Sequence, residues 1–357
     1  MTTAVLGAGA GGLAATVELT RAGVDVRLWN RNPARLDAHR ESGIHYTGVF
    51  GEGSVRPAGM TSDLAEAISG VDAIVVCLPS VVHPQLFADL AALAPAVPII
   101  LNPGHTGGAL HLRHVFTAAG VPLPPVVEFS TLTYIGRVQG GVVSIGGRAA
   151  RVTAGALPGG GAALDRAATL FPGVVAAPDV LASSLANVNL VLHPPGAVLS
   201  VAWMEATGGD FRFYVDAMTP SVVRVINAYD AERLAVAAAF GHQLSTLMEE
   251  MAALGSVDID AAKRGDTGAA IRGGVANSTI KAPDSLQHRY YQEDFGFGVL
   301  PFVELAAIAG VPVPTAGALL QIGATLTDTG LLTRGLTAER LGITGLTRDE
   351  LISMVRD

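Results

Sequence analysis

The chain has 357 residues, half of them hydrophobic and 15% charged, which exceeds the roughly 250–300 residues of one core and implies two globular domains rather than a disordered chain. Its formal charge of −8 speaks against a nucleic-acid partner, which needs Lys and Arg to neutralise phosphates. A single cysteine, Cys77, excludes an internal disulfide and suits the cytoplasm, and no apolar run approaches the roughly 20 residues of a membrane-spanning helix.

In chain order, "TAVLGAGAGGLAATVELTRAGVDVRLWNRN" predicts a strand, a glycine turn, a helix stopped near Gly23 and a second strand. The turn has the G-x-G-x-x-G spacing at Gly7, Gly9 and Gly12, which lets a pyrophosphate approach the backbone at a helix N-terminus. An acidic residue at the end of the second strand would bond a ribose 2′-hydroxyl and repel a 2′-phosphate. That place holds Asn30 followed by Arg31, a pairing that favours NADP(H) over NAD(H). "VDAIVVCLPS" and "VPIILNPGHTGGAL" then read as buried strands of a parallel sheet. Their carboxyl ends put Pro79 and the loop from Asn102 to Gly108 along a cofactor crevice. The β-branched stretch from Pro124 to Gly147 is expected to complete the sheet with an extended tail.

From about residue 179 the strand signals give way to helical spacing, so the expected architecture is an α/β Rossmann domain at 1–178 and a mainly α-helical domain at 179–357. "NVNLVLHPPGAVLS" places His193 ahead of Pro194 and Pro195, and proline is expected to end or kink the helix at the histidine, with Asn187 and Asn189 supplying polar groups one turn earlier. "QHRYYQEDFGFGVLPF" crowds His288, Arg289, Glu293 and Asp294 ahead of an apolar helix. These charges are explicable as a helix cap and dipole complement, or as a catalytic carboxylate with an anion-binding arginine. A carboxylate bonded to one imidazole nitrogen fixes the tautomer and makes the ring an acid–base catalyst, the arrangement expected of His193 with Asp294. No metal-ligand spacing stands out, so no metal is expected.

With "NPGHTGGAL", "NVNLVLHPP", "TPSV", "DAER", "RYYQED" and "GLTAERLGITGLT", nearly the whole chain resembles the opine (octopine/nopaline) dehydrogenase family, in the layout of bacterial N-(1-carboxyethyl)-L-norvaline dehydrogenases. The resemblance implies substrates bound between a nicotinamide domain and a helical domain, and reductive joining of an amino acid's amine to a 2-oxo acid. It implies a catalytic pair at His193 and Asp294, a pyrophosphate-contacting arginine at Arg289, and substrate contacts at Thr131 and His105, with Asn189 nearby. Members of similar layout tend to carry an acidic residue where this chain has Asn30, so their NAD(H) preference does not transfer. A homodimer through the helical domain is compatible with the apolar excess.

Two rivals carry different consequences. A ketopantoate or 3-hydroxyacid type dehydrogenase places a catalytic lysine early in the second domain, yet the only lysines are Lys263 and Lys281. A nicotinamide-sensing protein without chemistry would keep the glycine turn but have no use for His193, Arg289 and Asp294 together.

Overall fold

The computed structural model describes residues 1–327 and 330–356. They pack as two compact units, one made of Met1–Gly104 and Val115–Val180, the other of His105–His114 and the chain from Leu181 onward. The short segment His105–His114 therefore belongs by packing to the helical unit, although it lies inside the stretch read from sequence as the N-terminal domain.

The first unit holds twelve strands among the described residues: β1 Thr2–Leu6, β2 Asp25–Trp29, β3 Ile44–Gly48, β4 Gly53–Val55, β5 Gly59–Thr61, β6 Ala73–Val76, β7 Ile99–Leu101, β8 Val126–Phe129, β9 Tyr134–Gln139, β10 Val142–Arg148, β11 Val152–Ala156 and β12 Val174–Ala176. Eight form one sheet in the order β12-β11-β8-β7-β6-β1-β2-β5. Pairing is parallel from β5 through β8, and β11 enters antiparallel to β8. Every residue of β6, β7 and β8 is buried, which is why β6 and β7 read as continuous apolar runs instead of alternating ones, while β8 buries Glu128 among its apolar residues. The chain order reverses about β1, and the loops that follow β1, β6, β7 and β8 leave the sheet on one side.

The expected extended tail is a sheet of its own. Only β8 of the Pro124–Gly147 stretch joins the large sheet, while β9 and β10 form a hairpin that pairs with β3 and β4 in the order β4-β3-β10-β9. The β-branched residues marked strands correctly, but composition carries no information about which edge a strand finds.

The second unit is helical, with principal helices Val188–Leu199, Val201–Thr207, Pro220–Ala239, Leu247–Leu254, Leu300–Ala309 and Pro314–Thr327. The helix does not end at His193. The chain breaks earlier, between the helix ending at Leu185 and the one beginning at Val188, where the Asn187 side chain caps the Asn189 N–H at 3.1 Å. The new helix then runs through Pro194 and Pro195 to Leu199. Each interior proline costs about 3 kcal/mol. Ten of the twelve side chains are buried, five of them Val or Leu, and at about 1.5–3 kcal/mol apiece their burial outweighs both prolines.

Arg233 fastens this unit at its centre. Its guanidinium is 2% exposed and donates to Asp230 at 2.7 Å, to the Leu185 carbonyl at 2.9 Å and to the Ser245 carbonyl at 2.7 Å, while Asp230 also accepts from the Leu247 N–H. Three chain segments thus meet on one ion pair. Arg233→Ala leaves Asp230 buried without its counter-charge, and a loss of about 3–5 kcal/mol is expected in urea unfolding; a change below 1 kcal/mol would show the network to be dispensable. No single helix among the described residues is long and apolar enough to cross a membrane.

Candidate active site

In the first unit the glycine turn leaves the end of β1, where Gly7 donates its N–H to the Trp29 carbonyl at 2.8 Å, and the helix Ala10–Arg21 begins at once. A Cβ on Gly12 would overlap the Gly7 carbonyl oxygen, so glycine is required for helix and strand to approach this closely. A Cβ on Gly9 would meet nothing within 4 Å, leaving open space beside an uncapped helix start. Free N–H groups facing open space suit an anion, and these residues fit the diphosphate of a dinucleotide.

Asn30 is buried at the end of β2, its amide oxygen accepting the Ala8 N–H at 3.1 Å and its amide nitrogen donating to the Asn32 carbonyl at 3.0 Å. It braces the glycine turn, while Arg31 beside it is exposed, as is Arg35. Pro79 is exposed in the loop after β6, whose Leu78 side chain abuts the turn at Gly7. Thr131 is buried in the loop after β8, and that loop is tied to the end of β7 by Asn102, whose side-chain oxygen accepts from the N–H and hydroxyl of Thr133, both at 3.0 Å.

In the second unit the structure brings together His193, Asp294, His105 and Arg289. His193 sits on the Val188–Leu199 helix with Nδ1 at 2.7 Å from the Asp294 carboxylate, both groups buried. Asp294 lies between the short helix Arg289–Gln292 and a π-helical turn, Phe295–Val299, a form that recurs at functional sites because it re-aims side chains. The neighbouring Glu293 points to different partners: His105 Nε2 at 3.0 Å and Arg289 Nε at 2.9 Å. His105 adopts φ 58°, a left-handed conformation seldom taken by a residue with a side chain. Thr106 and Gly107 anchor the segment, Gly107 donating to the Ser184 hydroxyl at 3.0 Å and Thr106 accepting from the Asn187 amide at 3.3 Å. Asn189 is half-buried one turn before His193.

Two tyrosines complete the site, and the sequence reading did not include them. The Tyr214 hydroxyl lies 2.7 Å from His193 Nε2 and shares a 2.9 Å hydrogen bond with the Tyr290 hydroxyl. The Tyr290 ring stacks on the imidazole at 3.9 Å, and Phe213 meets it edge-on. Gly196 makes room for that wall, since a Cβ there would stand 2.7 Å from the Phe213 ring. Their signal was compositional: in a chain with 5% aromatic residues, "FRFY" and "RYY" concentrate five.

The electrostatics follow from this packing. Burial pushes the Tyr214 phenol well above its ordinary value, with Tyr290 and Asp294 acting in the same sense against Arg289. Partial burial works against the Arg289 charge, but Glu293 and Asp294 outweigh it and hold the guanidinium firmly protonated. His288 caps the Arg289–Gln292 helix, accepting the Tyr290 N–H on Nδ1 at 3.3 Å; burial, then Arg289 and His193, lower its basicity. The site can therefore hold a cationic arginine, a carboxylate-oriented imidazole and the protonated phenol of Tyr214 within one wall.

Residues 176–327 match the family model described as NAD/NADP octopine/nopaline dehydrogenase, alpha-helical domain, and residues 3–159 match that of ketopantoate reductase PanE/ApbA. The chain is 33% identical to an opine dehydrogenase of Arthrobacter sp. (strain 1C), covering 99% of this chain and 98% of that one. Its fold is similar to octopine dehydrogenase solved with NADH and L-arginine, at TM-score 0.79 and 20% identity over 99% of this chain and 98% of that one. It is also similar to NADP+-bound yersinopine dehydrogenase, at TM-score 0.74 and 16% identity over 100% and 98%.

Proposed function

The chain belongs to the opine dehydrogenase family, and from that premise we propose that it reductively condenses the amine of an amino acid with a 2-oxo acid to give a secondary amine, using NADP(H) in preference to NAD(H). The observation that carries the reading is the buried His193–Asp294 pair at 2.7 Å. Attack of an amine on a carbonyl gives a carbinolamine, whose hydroxyl must be protonated before it leaves as water. His193, oriented through Nδ1 by Asp294, holds that proton on Nε2 and takes one back when the next amine loses its own. A bound nicotinamide supplies the hydride that reduces the resulting imine.

Gly7, Gly9 and Gly12 hold the dinucleotide, with Pro79 along the same side of the sheet. Arg289 is assigned to the pyrophosphate: its half-exposed guanidinium, keyed by Glu293 through Nε, keeps N–H groups for an anion. Thr131, His105 and Asn189 are assigned to substrate. The NADP(H) preference draws support from two exposed guanidinium groups, Arg31 in the loop after β2 and Arg35 at the start of the helix Ala34–Arg40 that follows, where Asn30 is neutral and engaged with the glycine turn. A homodimer belongs to the same reading, supported by the exposed Leu199 and Trp203 of the helical unit. So does a cytoplasmic location, supported by the single, buried thiol of Cys77.

The hydroxy-acid dehydrogenase reading keeps the support of the ketopantoate reductase match over residues 3–159, but both lysines are exposed and Lys281 is paired with Asp210. Oxidation of NADPH and NADH with pyruvate, with and without a panel of amino acids, separates the two. Amine-dependent oxidation is expected, faster with NADPH at limiting cofactor, and Arg31→Ala should narrow the NADPH:NADH ratio of kcat/KM about tenfold, the worth of one charge-assisted bond. Oxidation indifferent to amine would instead establish a hydroxy-acid dehydrogenase.

A further inference from the structure

We propose that Tyr214 is a positioning residue for His193, holding Nε2 through its hydroxyl so that protons enter and leave the imidazole by way of the Tyr214–Tyr290 phenol pair. The inference rests on the reading that His193 does the proton work of amine condensation.

Both ring nitrogens of His193 are engaged, Nδ1 by Asp294 and Nε2 by Tyr214, each at 2.7 Å, and the Tyr214 hydroxyl is joined to that of Tyr290 at 2.9 Å. Stacking by Tyr290 and edge contact from Phe213 and Tyr214 keep the ring from turning. With the neutral ring donating its Nδ1–H to Asp294, Nε2 is a bare lone pair. Tyr214 must then donate to Nε2 and accept from Tyr290. When His193 is protonated the order inverts: Nε2–H donates to Tyr214, and Tyr214 donates to Tyr290. One change of charge on the imidazole thus reverses both phenol hydrogen bonds.

Proton balance follows from that reversal. The Nε2 proton of the imidazolium passes to the Tyr214 oxygen, the Tyr214 proton to the Tyr290 oxygen, and the Tyr290 proton to the departing hydroxyl of the carbinolamine, which leaves as water. Running backward, the same chain takes a proton from the next substrate ammonium and returns His193 to its charged form. Neither phenol ionises, as their burial demands. The alternative, direct contact between substrate and Nε2, requires the Tyr214 hydroxyl to leave two hydrogen bonds inside a buried aromatic wall.

Groups facing the imidazole are Asp294, Tyr214 and Tyr290, with His288 against the edge of Tyr290. Tyr214→Phe keeps the ring and removes only the oxygen. Expected results are a 10- to 100-fold fall in kcat with KM values for amine and 2-oxo acid within about threefold of wild type. A proton inventory in mixed H2O and D2O should change from several protons in flight to one. Tyr290→Phe removes the hydroxyl that hands the proton to substrate and should lower kcat to a similar extent, which supplies the test if Tyr214→Phe folds poorly by circular dichroism.

Nitrogen-15 NMR of His193 in the substrate-free protein gives an arm that needs no turnover: Asp294 should hold the Nδ1–H tautomer in both proteins, while Nε2 should show the shift of a hydrogen-bonded nitrogen in wild type and of a bare one in Tyr214→Phe. An enzyme inert toward every amine would remove the proposed function and leave this outcome readable. Unchanged kcat and proton inventory in both variants, or a raised kcat/KM for the 2-oxo acid in Tyr214→Phe, overturns the proposal, the latter by showing that the hydroxyl competes with substrate.

Discussion

Replacing His193 by Asn is expected to lower kcat for amine-dependent NADPH oxidation by about 10²–10⁴-fold while leaving the Kd for NADPH within twofold. The choice of Asn matters, because Asp294 is 2% exposed and accepts its imidazole hydrogen bond at 2.7 Å. His193→Ala would strand that carboxylate, and a buried charge deprived of its partner costs about 3–5 kcal/mol, so lost activity would be confounded with lost fold. The Asn side-chain amide can donate from near the Nδ1 position and keep Asp294 satisfied, yet it has nothing at Nε2. Asp294→Asn tests the other half: the imidazole stays but its tautomer is no longer fixed, and a loss of similar size is expected. Because the two act as one unit, the double variant should be little worse than either single one. Stopped-flow measurement of a single turnover with saturating amine and 2-oxo acid decides the matter. Wild-type rates in His193→Asn would reduce the residue to a buried packing histidine.

Gly12→Ala is expected to have the second largest effect, acting on cofactor binding and fold together. Since the new methyl would overlap the Gly7 carbonyl oxygen, the Ala10–Arg21 helix has to move off the end of β1. Overpacking of this kind costs about 1–3 kcal/mol. The displaced helix start also takes its N–H groups away from the diphosphate, for which a loss of about 30-fold or more in NADPH affinity is expected. Gly9→Ala is the matched control. Its methyl meets no protein atom within 4 Å, so thermal unfolding should be nearly unchanged while the cofactor, entering that space, binds less well. Fluorescence titration of NADPH alongside thermal melts separates the pair. Equal stability losses in both variants would contradict the close-packing account.

Legibility differed between the two units for physical reasons. The strand–turn–helix at the N-terminus depends on residues adjacent in sequence, so the spacing of Gly7, Gly9 and Gly12 declares it. The pairing of His193 with Asp294, 101 positions apart, has no such local signature and came from a likeness of motifs. Tyr214 had only the aromatic clustering of "FRFY" to mark it, because it lies outside regular structure, between the helices Val201–Thr207 and Pro220–Ala239, where no periodicity tells which way a side chain points. The double proline misled because local propensity was set against burial that only the folded unit supplies. His105 was read as a substrate contact, and the structure places its Nε2 on Glu293, an acid that sequence had explained equally well as a helix-dipole complement.

The wide turn Phe295–Val299 fixes something that side-chain chemistry cannot. A π turn carries one residue more than an α turn, so it works as a spacer that sets the angle between Asp294 and the Leu300–Ala309 helix. Losing any one residue from the spacer would let ordinary α geometry close up and swing the carboxylate by about 100°, off the imidazole altogether. The segment can therefore drift in composition far more freely than in length, and its residue count is the quantity to hold constant when this scaffold is redesigned for other amines.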